Sequence, residues 1–495
     1  MKVKNKLLAA IAWCLTAASL TAALAGCAKP AEVPVSGTSD QQTASESAPP
    51  ETKPFDTVPK KDYESYQFRV LTLSSGINGT SRFTDEIWVE GEKAEPINDA
   101  VYARNLMIED RLNVQISAIP VNDVFTTALK TIQSDDAAYE MHGMYDKPNA
   151  LKLGSEGMTR DWNQLPVIDL SQKWWNSKCA EKLSVMGKLY LMSGAILISE
   201  IDDELAMVYN KKLGADNNLD SIYDLVFAGN WTLDTFGEQA LAIHHDVDGN
   251  GKMVPGVDLF GYIQDPSSMT NNWVFSCDLL NAAVDEDGIV SMNVDTDRVQ
   301  TTLEKLSDIT SSDAVKIGVD LYQGLQYFTQ DSIYIYAVIL RNIELLRDME
   351  SDFGIIPYPK YDANQESYLN HVGNASPILT IPITNYEDDE RLGSILEAMA
   401  IASWQVVKPA YFEVALKEKY ARDLETQQML DIVLESRTYD LGYLGGCGMV
   451  NVLAPMIVNG NTTFSSNWAR QERGQTKTFQ KLVDRLLEAD PTSRT

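Results

Sequence analysis

The chain has 495 residues, with 41 Lys and Arg against 70 Asp and Glu, a formal net charge of −29 at neutral pH. Apolar residues make up 44% and charged residues 22%, a globular composition that excludes wholesale disorder. So acidic a chain lacks the basic face needed to displace counterions from phosphates, which argues against nucleic acid as a partner and against a basic amphipathic protein of the membrane surface.

Lys2, Lys4 and Lys6 precede an uncharged apolar run from Leu7 to Ala25. This is the pattern of a secretory signal peptide over residues 1–26. Its ending, Leu24-Ala25-Gly26-Cys27, resembles the bacterial lipobox, which implies that Cys27 is lipidated and becomes the new N-terminus. The alternative is an uncleaved membrane helix, since about 19 apolar residues nearly span a bilayer. Residues 27–60 are rich in Pro, Ser, Thr, Glu and Ala, which predicts a disordered, lipid-anchored tether on the extracellular face of the cell membrane. Of the five cysteines, Cys179, Cys277 and Cys447 remain in the body without C-x-x-C spacing. They predict no zinc site and leave one disulfide or three buried thiols as the alternatives.

The body alternates strand and helix. Tyr66–Leu73 reads as a strand ending at the turn signal Ser74-Ser75-Gly76. Residues 97–112 read as a helix capped by Asn98 or Asp99, with Val101, Ile108 and Leu112 on one face. Residues 114–119 alternate as a second strand, 123–134 as a second helix, and 141–144 as a strand end. Ile333–Leu340 is too short to span a membrane and reads as core. The pattern predicts an α/β fold with a mostly parallel sheet, and such sheets bind ligands beyond the carboxyl ends of their strands. The length suits two or three domains, or one two-lobed unit with one site.

Several motifs then occur in order: Pro96-Ile97-Asn98-Asp99-Ala100-Val101-Tyr102, Leu165-Pro166 with Lys173-Trp174-Trp175, Val208-Tyr209-Asn210-Lys211, Gly229-Asn230-Trp231-Thr232, Phe353-Gly354-Ile355-Ile356-Pro357-Tyr358-Pro359-Lys360, and Arg437-Thr438-Tyr439-Asp440. From residue 62 onward the chain resembles the solute-binding lipoproteins of bacterial ABC importers, in the group that takes up oligosaccharides (family 1). The resemblance implies a type II periplasmic-binding-protein fold, two α/β lobes joined by a multi-strand hinge around a ligand cleft. Residues 61–190 would begin the first lobe, 191–350 form most of the second, and 351–495 return to the first with C-terminal helices shared by both. It also implies a monomer that closes on a carbohydrate and delivers it to permease subunits.

Sugars present C–H faces to aromatic rings and hydroxyls to polar groups. Trp88, Trp273, Tyr336 and Trp404 are the stacking candidates near predicted loops and element ends, each of which competes with a place in the core. Tyr145, Asp146, Asp203, Arg341, His371 and Asn374 are the polar candidates, because carboxylates accept from paired hydroxyls and Arg donates in a fixed fork. Asp246-Val247-Asp248-Gly249-Asn250-Gly251-Lys252 follows the start of a calcium loop. The twelfth position is Val257, and Asp258 comes one place late. A structural calcium held by Asp246, Asp248, Asn250, Lys252 and Asp258, and a plain turn, are the two readings of this loop. No other cofactor is expected.

The four histidines form no H-E-x-x-H, and G-x-S-x-G and Walker loops are absent, so the expectation is a binding protein rather than an enzyme. The competing readings are a binding protein for a peptide or polyol, a receptor for a sensor system, and a surface glycoside hydrolase.

Overall fold

The computed structural model describes residues 54–75, 84–285, 288–373, 376–385, 387–412 and 424–489. Cys27, nearly all of the tether and Asn374 lie outside the described residues. Strands in chain order are β1 Tyr66–Leu73, β2 Val114–Val121, β3 Met141–Met144, β4 Leu205–Asn210, β5 His244–His245, β6 Leu259–Gln264 and β7 Ala282–Val284. They continue with β8 Val290–Met292, β9 Val315–Ile317, β10 Ile333–Ile339, β11 Phe353–Ile356, β12 Asn370–His371, β13 Ile378–Thr380 and β14 Arg437–Thr438.

The first sheet has the order β13-β3-β1-β2. β1 pairs in parallel with β2 from Tyr66 opposite Val114 to Leu73 opposite Val121, and with β3 on its other side. Its second half, Val70 to Leu73, is buried on both faces, as expected of a parallel strand covered by helices. The crossover helix is Pro96–Leu112. Its cap is Glu95, whose carboxylate accepts the Asn98 N–H at 2.6 Å, not Asn98 or Asp99 as expected. Pro96 fixes the first helical φ and so sets the start. Asn113, at φ 49°, closes the helix in a left-handed cap.

The second sheet runs β11-β4-β10-β6-β5, with β9 on the far end of β6. β10 is its centre, antiparallel to β4 and parallel to β6. Both faces are covered. Trp231, Phe236, Trp273 and Tyr334 lie in one core, and Ile198, Val208, Tyr336 and Ile355 in the other. On β6, Gly261 is required by close approach, because a Cβ there would meet the Ala240 carbonyl oxygen at 1.6 Å. Cys179, Cys277 and Cys447 are buried free thiols.

The chain passes from the first sheet to the second through Ile198–Glu204 and returns between β11 and β13. β12 and β14 pair in parallel beside this crossing. A last connection is the helix Phe464–Glu488. Its Phe464 and Trp468 are rooted in the second-sheet core, while Phe479, Val483 and Leu486 belong to the first. The Tyr190 hydroxyl donates to the Leu486 carbonyl at 3.0 Å and pins the far end. Among the described residues no helix is long and apolar enough to cross a membrane.

Candidate functional site

The crossing segment carries Glu200, Asp202, Asp203 and Glu204, all buried. Glu200 sits in the short helical turn Ser199–Asp202, and Glu204 follows just after it in a β-bridge to Val372. They meet Arg437 there. Its Nη1 lies 3.1 Å from Glu200 Oε2 and its Nε 3.8 Å from Glu204 Oε2. Tyr439 donates its hydroxyl hydrogen to the other Glu200 oxygen. Burial works against the Arg437 charge, yet the two carboxylates raise its pKa. Burial pushes the Glu204 carboxyl well above its ordinary range. Asn370 Nδ2 donates to Glu204 Oε1 at 2.7 Å, and Asn272 accepts the His371 N–H at 2.7 Å. Both lobes therefore grip one polar strip.

The opposite side of the segment is built around Asp203, which forms an ion pair with Arg341. Arg341 follows the end of β10, where the Leu340 N–H donates to the Glu204 carbonyl at 2.9 Å. Burial lowers the Arg341 pKa, and the nearby Asp202 and Tyr145 oppose that shift. Tyr145 directly follows β3. The carboxyl ends of one strand from each sheet thus converge on Asp203, the place where α/β sheets take ligands. The loop before Asn374 is held from both sides. Gly373 donates its N–H to the Asp203 carbonyl at 3.1 Å. Lys147 Nζ donates to the Gly373 carbonyl at 2.9 Å and the Ser376 hydroxyl at 2.8 Å. Burial lowers the Lys147 pKa to about 8.

A third buried group braces the crossing. Glu86 accepts both the N–H and the hydroxyl of Ser199, each at 2.8 Å. Burial raises its pKa to about 8. Arg104 donates to the Glu86 and Ile87 carbonyls, and its own pKa falls to about 10 through burial.

Of the expected site residues, Tyr145, Asp203 and Arg341 come together. His371 is buried between the lobes, its ring stacked on Phe275 at 4.4 Å with Tyr443 edge-on at 5.2 Å. Asp146 is exposed and caps the helix Lys147–Ser155 through the Asn149 N–H at 3.2 Å. Trp88 stands 39% exposed on the loop before the first crossover helix. Trp404 lies in a recess on the Arg437 side of the crossing, with Lys173 Nζ 3.9 Å from its ring centre. The expectation of ligand stacking fails for Trp273 and Tyr336, which are core residues. Trp273 donates its indole N–H to Gln264 Oε1 at 2.9 Å and is walled in by Phe236, Tyr262 and Tyr358. Tyr336 donates to the Leu321 carbonyl at 2.7 Å from the middle of β10.

The residues that the sequence reading missed are Glu86, Lys147, Glu200, Asn272, Asn370 and Arg437. Arg437 sits in a motif that was visible, but nothing local assigns its partners. Glu200 begins the acidic cluster that runs to Glu204, but nothing local separates it from the other three acids.

In the acidic loop, oxygens of Asp246, Asp248 and Asp258 lie within 4.8 Å of one another. Asp246 Oδ1 accepts the Gly249 N–H at 2.8 Å. Asp258 is fully buried and accepts the Val247 and Val254 N–H groups at 2.8 and 2.7 Å. The late acid thus turns inward where Val257 stays exposed. Hard carboxylate oxygens converging in this way fit calcium. Asn250 Oδ1 instead accepts the Lys252 N–H at 2.8 Å.

No protein-family model matches the chain, and no curated protein matches its sequence. Solved structures do match in fold. A cyclo/maltodextrin-binding protein complexed with maltotetraose superposes with a TM-score of 0.50 at 12% identity, covering 89% of this chain and 98% of that one. UspC of M. tuberculosis gives 0.51 at 13% identity, covering 86% and 100%. A sugar transporter from Rhizobium etli in an open conformation gives 0.51 at 13%, covering 85% and 98%. The fold is therefore that of the periplasmic-binding-protein-like solute-binding proteins, as the motifs led one to expect.

Proposed function

We propose that this protein is an extracellular, lipid-anchored receptor that binds a sugar or oligosaccharide between its lobes and delivers it unchanged to an ABC permease. The observation that carries the reading is the convergence of β3 and β10 on Asp203. A solute lodged there touches both lobes at the segment that joins them. Its contacts bias the crossing towards a closed arrangement, because a ligand shifts an equilibrium by its differential affinity for the two states. The bound maltotetraose of one structural neighbour and the sugar transporter among the others support the sugar class. The lipobox at Cys27 supports the anchor. A calcium ion held by Asp246, Asp248 and Asp258 would pin a second-lobe loop and take no part in solute chemistry.

The test is a thermal-shift and calorimetric screen of the mature chain against mono- and oligosaccharides, with X-ray scattering on any hit. Binding at a hundredfold excess over Kd adds about 2.7 kcal/mol, and closure shrinks the radius of gyration. Silence across all sugars would sink the reading, and sustained release of sugar products would replace it with a hydrolase. The Arg341–Asp203 pair favours a second reading. Such a pair also suits the charged ends of a peptide, so dipeptides form a further arm of the screen.

A further inference from the structure

A cavity of about 310 Å3 opens in the first lobe, away from Asp203, and its size falls in the range of small-molecule sites. Val58, Leu112, Trp174 and Ile401 give it apolar walls. Glu397 lines it from the middle of the helix Asp389–Ala402, where every residue from Leu392 to Ala402 is buried. Its two carboxylate oxygens accept the indole N–H groups of Trp174 and Trp175 at 2.7 and 2.8 Å. Among the described residues it has no cationic partner. Lys61, which also lines the cavity, is paired with Glu390 instead. Burial raises the Glu397 pKa, helped by the charge of Asp169, a second carboxylate lining the cavity, while the two indoles and the Asp169 N–H oppose the rise.

An anion desolvated among neutral donors gains more from an incoming cation than one exposed to water. The Trp174 indole lines the same cavity, and indole rings attract ammonium groups. A separate observation marks the same place. Val167 lines the cavity at φ 76° and is 48% exposed. A β-branched residue in the left-handed region is strained, and such strain gathers at ligand clamps.

We propose that this cavity is a binding site for a small organic cation, an ammonium whose charge rests on Glu397 and whose alkyl groups lie against Trp174. The site is independent of the solute site between the lobes and shares none of Tyr145, Asp203 or Arg341 with it.

The experiment titrates choline, and its neutral isostere 3,3-dimethylbutan-1-ol, into the full mature chain at fixed ionic strength, read by calorimetry and indole fluorescence. Choline is expected to bind at least tenfold more tightly than the isostere. Glu397→Gln keeps the size and one indole acceptor, and is expected to weaken choline at least tenfold while leaving the isostere unchanged. If that variant does not fold, the pH profile of Asp169→Asn serves, because with the other lining carboxylate removed choline affinity must still fall as acidification protonates Glu397. Equal affinity for the two probes, no saturable choline binding at millimolar concentrations, or a choline affinity indifferent to both Glu397→Gln and pH would overturn the proposal.

Discussion

Replacing Glu86 by Gln should change the pH dependence of stability rather than the stability itself at low pH. Glu86 is fully buried and its pKa rises from 4.5 to about 8, chiefly through desolvation. Between these values the folded chain holds a proton that the unfolded chain has released. Stability therefore falls as pH rises through the window, since the slope follows the excess of protons bound by the unfolded state. At 1.36 kcal/mol per unit the full window is worth roughly 4–5 kcal/mol, an upper bound for so buried a group. Over a body of this size that corresponds to about 5 °C in Tm. Gln mimics the protonated acid and can still accept the Ser199 N–H. Wild type and Glu86→Gln should melt together at pH 5 and diverge by pH 8, with the variant higher. Other titrating groups, such as His142, whose pKa burial lowers to about 3, shift both curves alike. Parallel Tm curves across pH 5–8, measured by calorimetry, would refute the reasoning.

Three further outcomes follow from the same packing. Trp273→Ala should cost roughly 3–5 kcal/mol in denaturant unfolding and remove one of the two donors to Gln264 Oε1, leaving the Tyr262 hydroxyl as the other, while solute affinity changes only as far as the fold does; loss of binding in a fully stable variant would return Trp273 to the cleft. Arg437→Met leaves Glu200 and Glu204 buried without their cation, and should destabilise by about 3–5 kcal/mol; an unchanged denaturation midpoint would show that these carboxylates are protonated in the wild type. Calcium should raise the Tm of the mature chain, and Asp258→Asn should abolish that rise; a rise that survives the substitution would place the ion elsewhere.

The parts of the fold governed by local pattern were legible in the sequence. Tyr66–Leu73 was recognisable as a strand to the residue, because the alternation and the following turn signal bracket it. The helix start was less so: Asn98 and Asp99 are better caps by type than Glu95, but Pro96 moves the first turn upstream. The site was legible only in part. Asp203 and Arg341 are 138 positions apart, and their pairing exists only because β4 and β10 are neighbours in the second sheet. Trp273 and Tyr336 carry the same residue types as sugar-stacking rings, and composition cannot tell a ring with an open face from one enclosed on every side. Glu397 was readable in principle as the one acid between Leu392 and Ala402, yet its indole donors come from a loop more than two hundred residues earlier.

The helix Phe464–Glu488 is fastened in both lobes, so its length acts as a gauge for the angle between them. At 1.5 Å per residue, the span from Trp468 to Phe479 fixes how far apart the two roots can sit. Gly474 lies in that span with nothing within 4 Å of its Cβ position, and glycine is the residue that weakens a helix interior most apart from proline. Any rocking of the lobes about the Asp203 segment must flex this rod or turn it in its sockets. The resting aperture, and with it the work a solute must do to close it, is therefore written partly in residues that never approach the solute. Adding one residue between the roots would move the far socket by 1.5 Å and rotate it by about 100°, so natural variation here should come as substitutions that alter stiffness, with the length held constant.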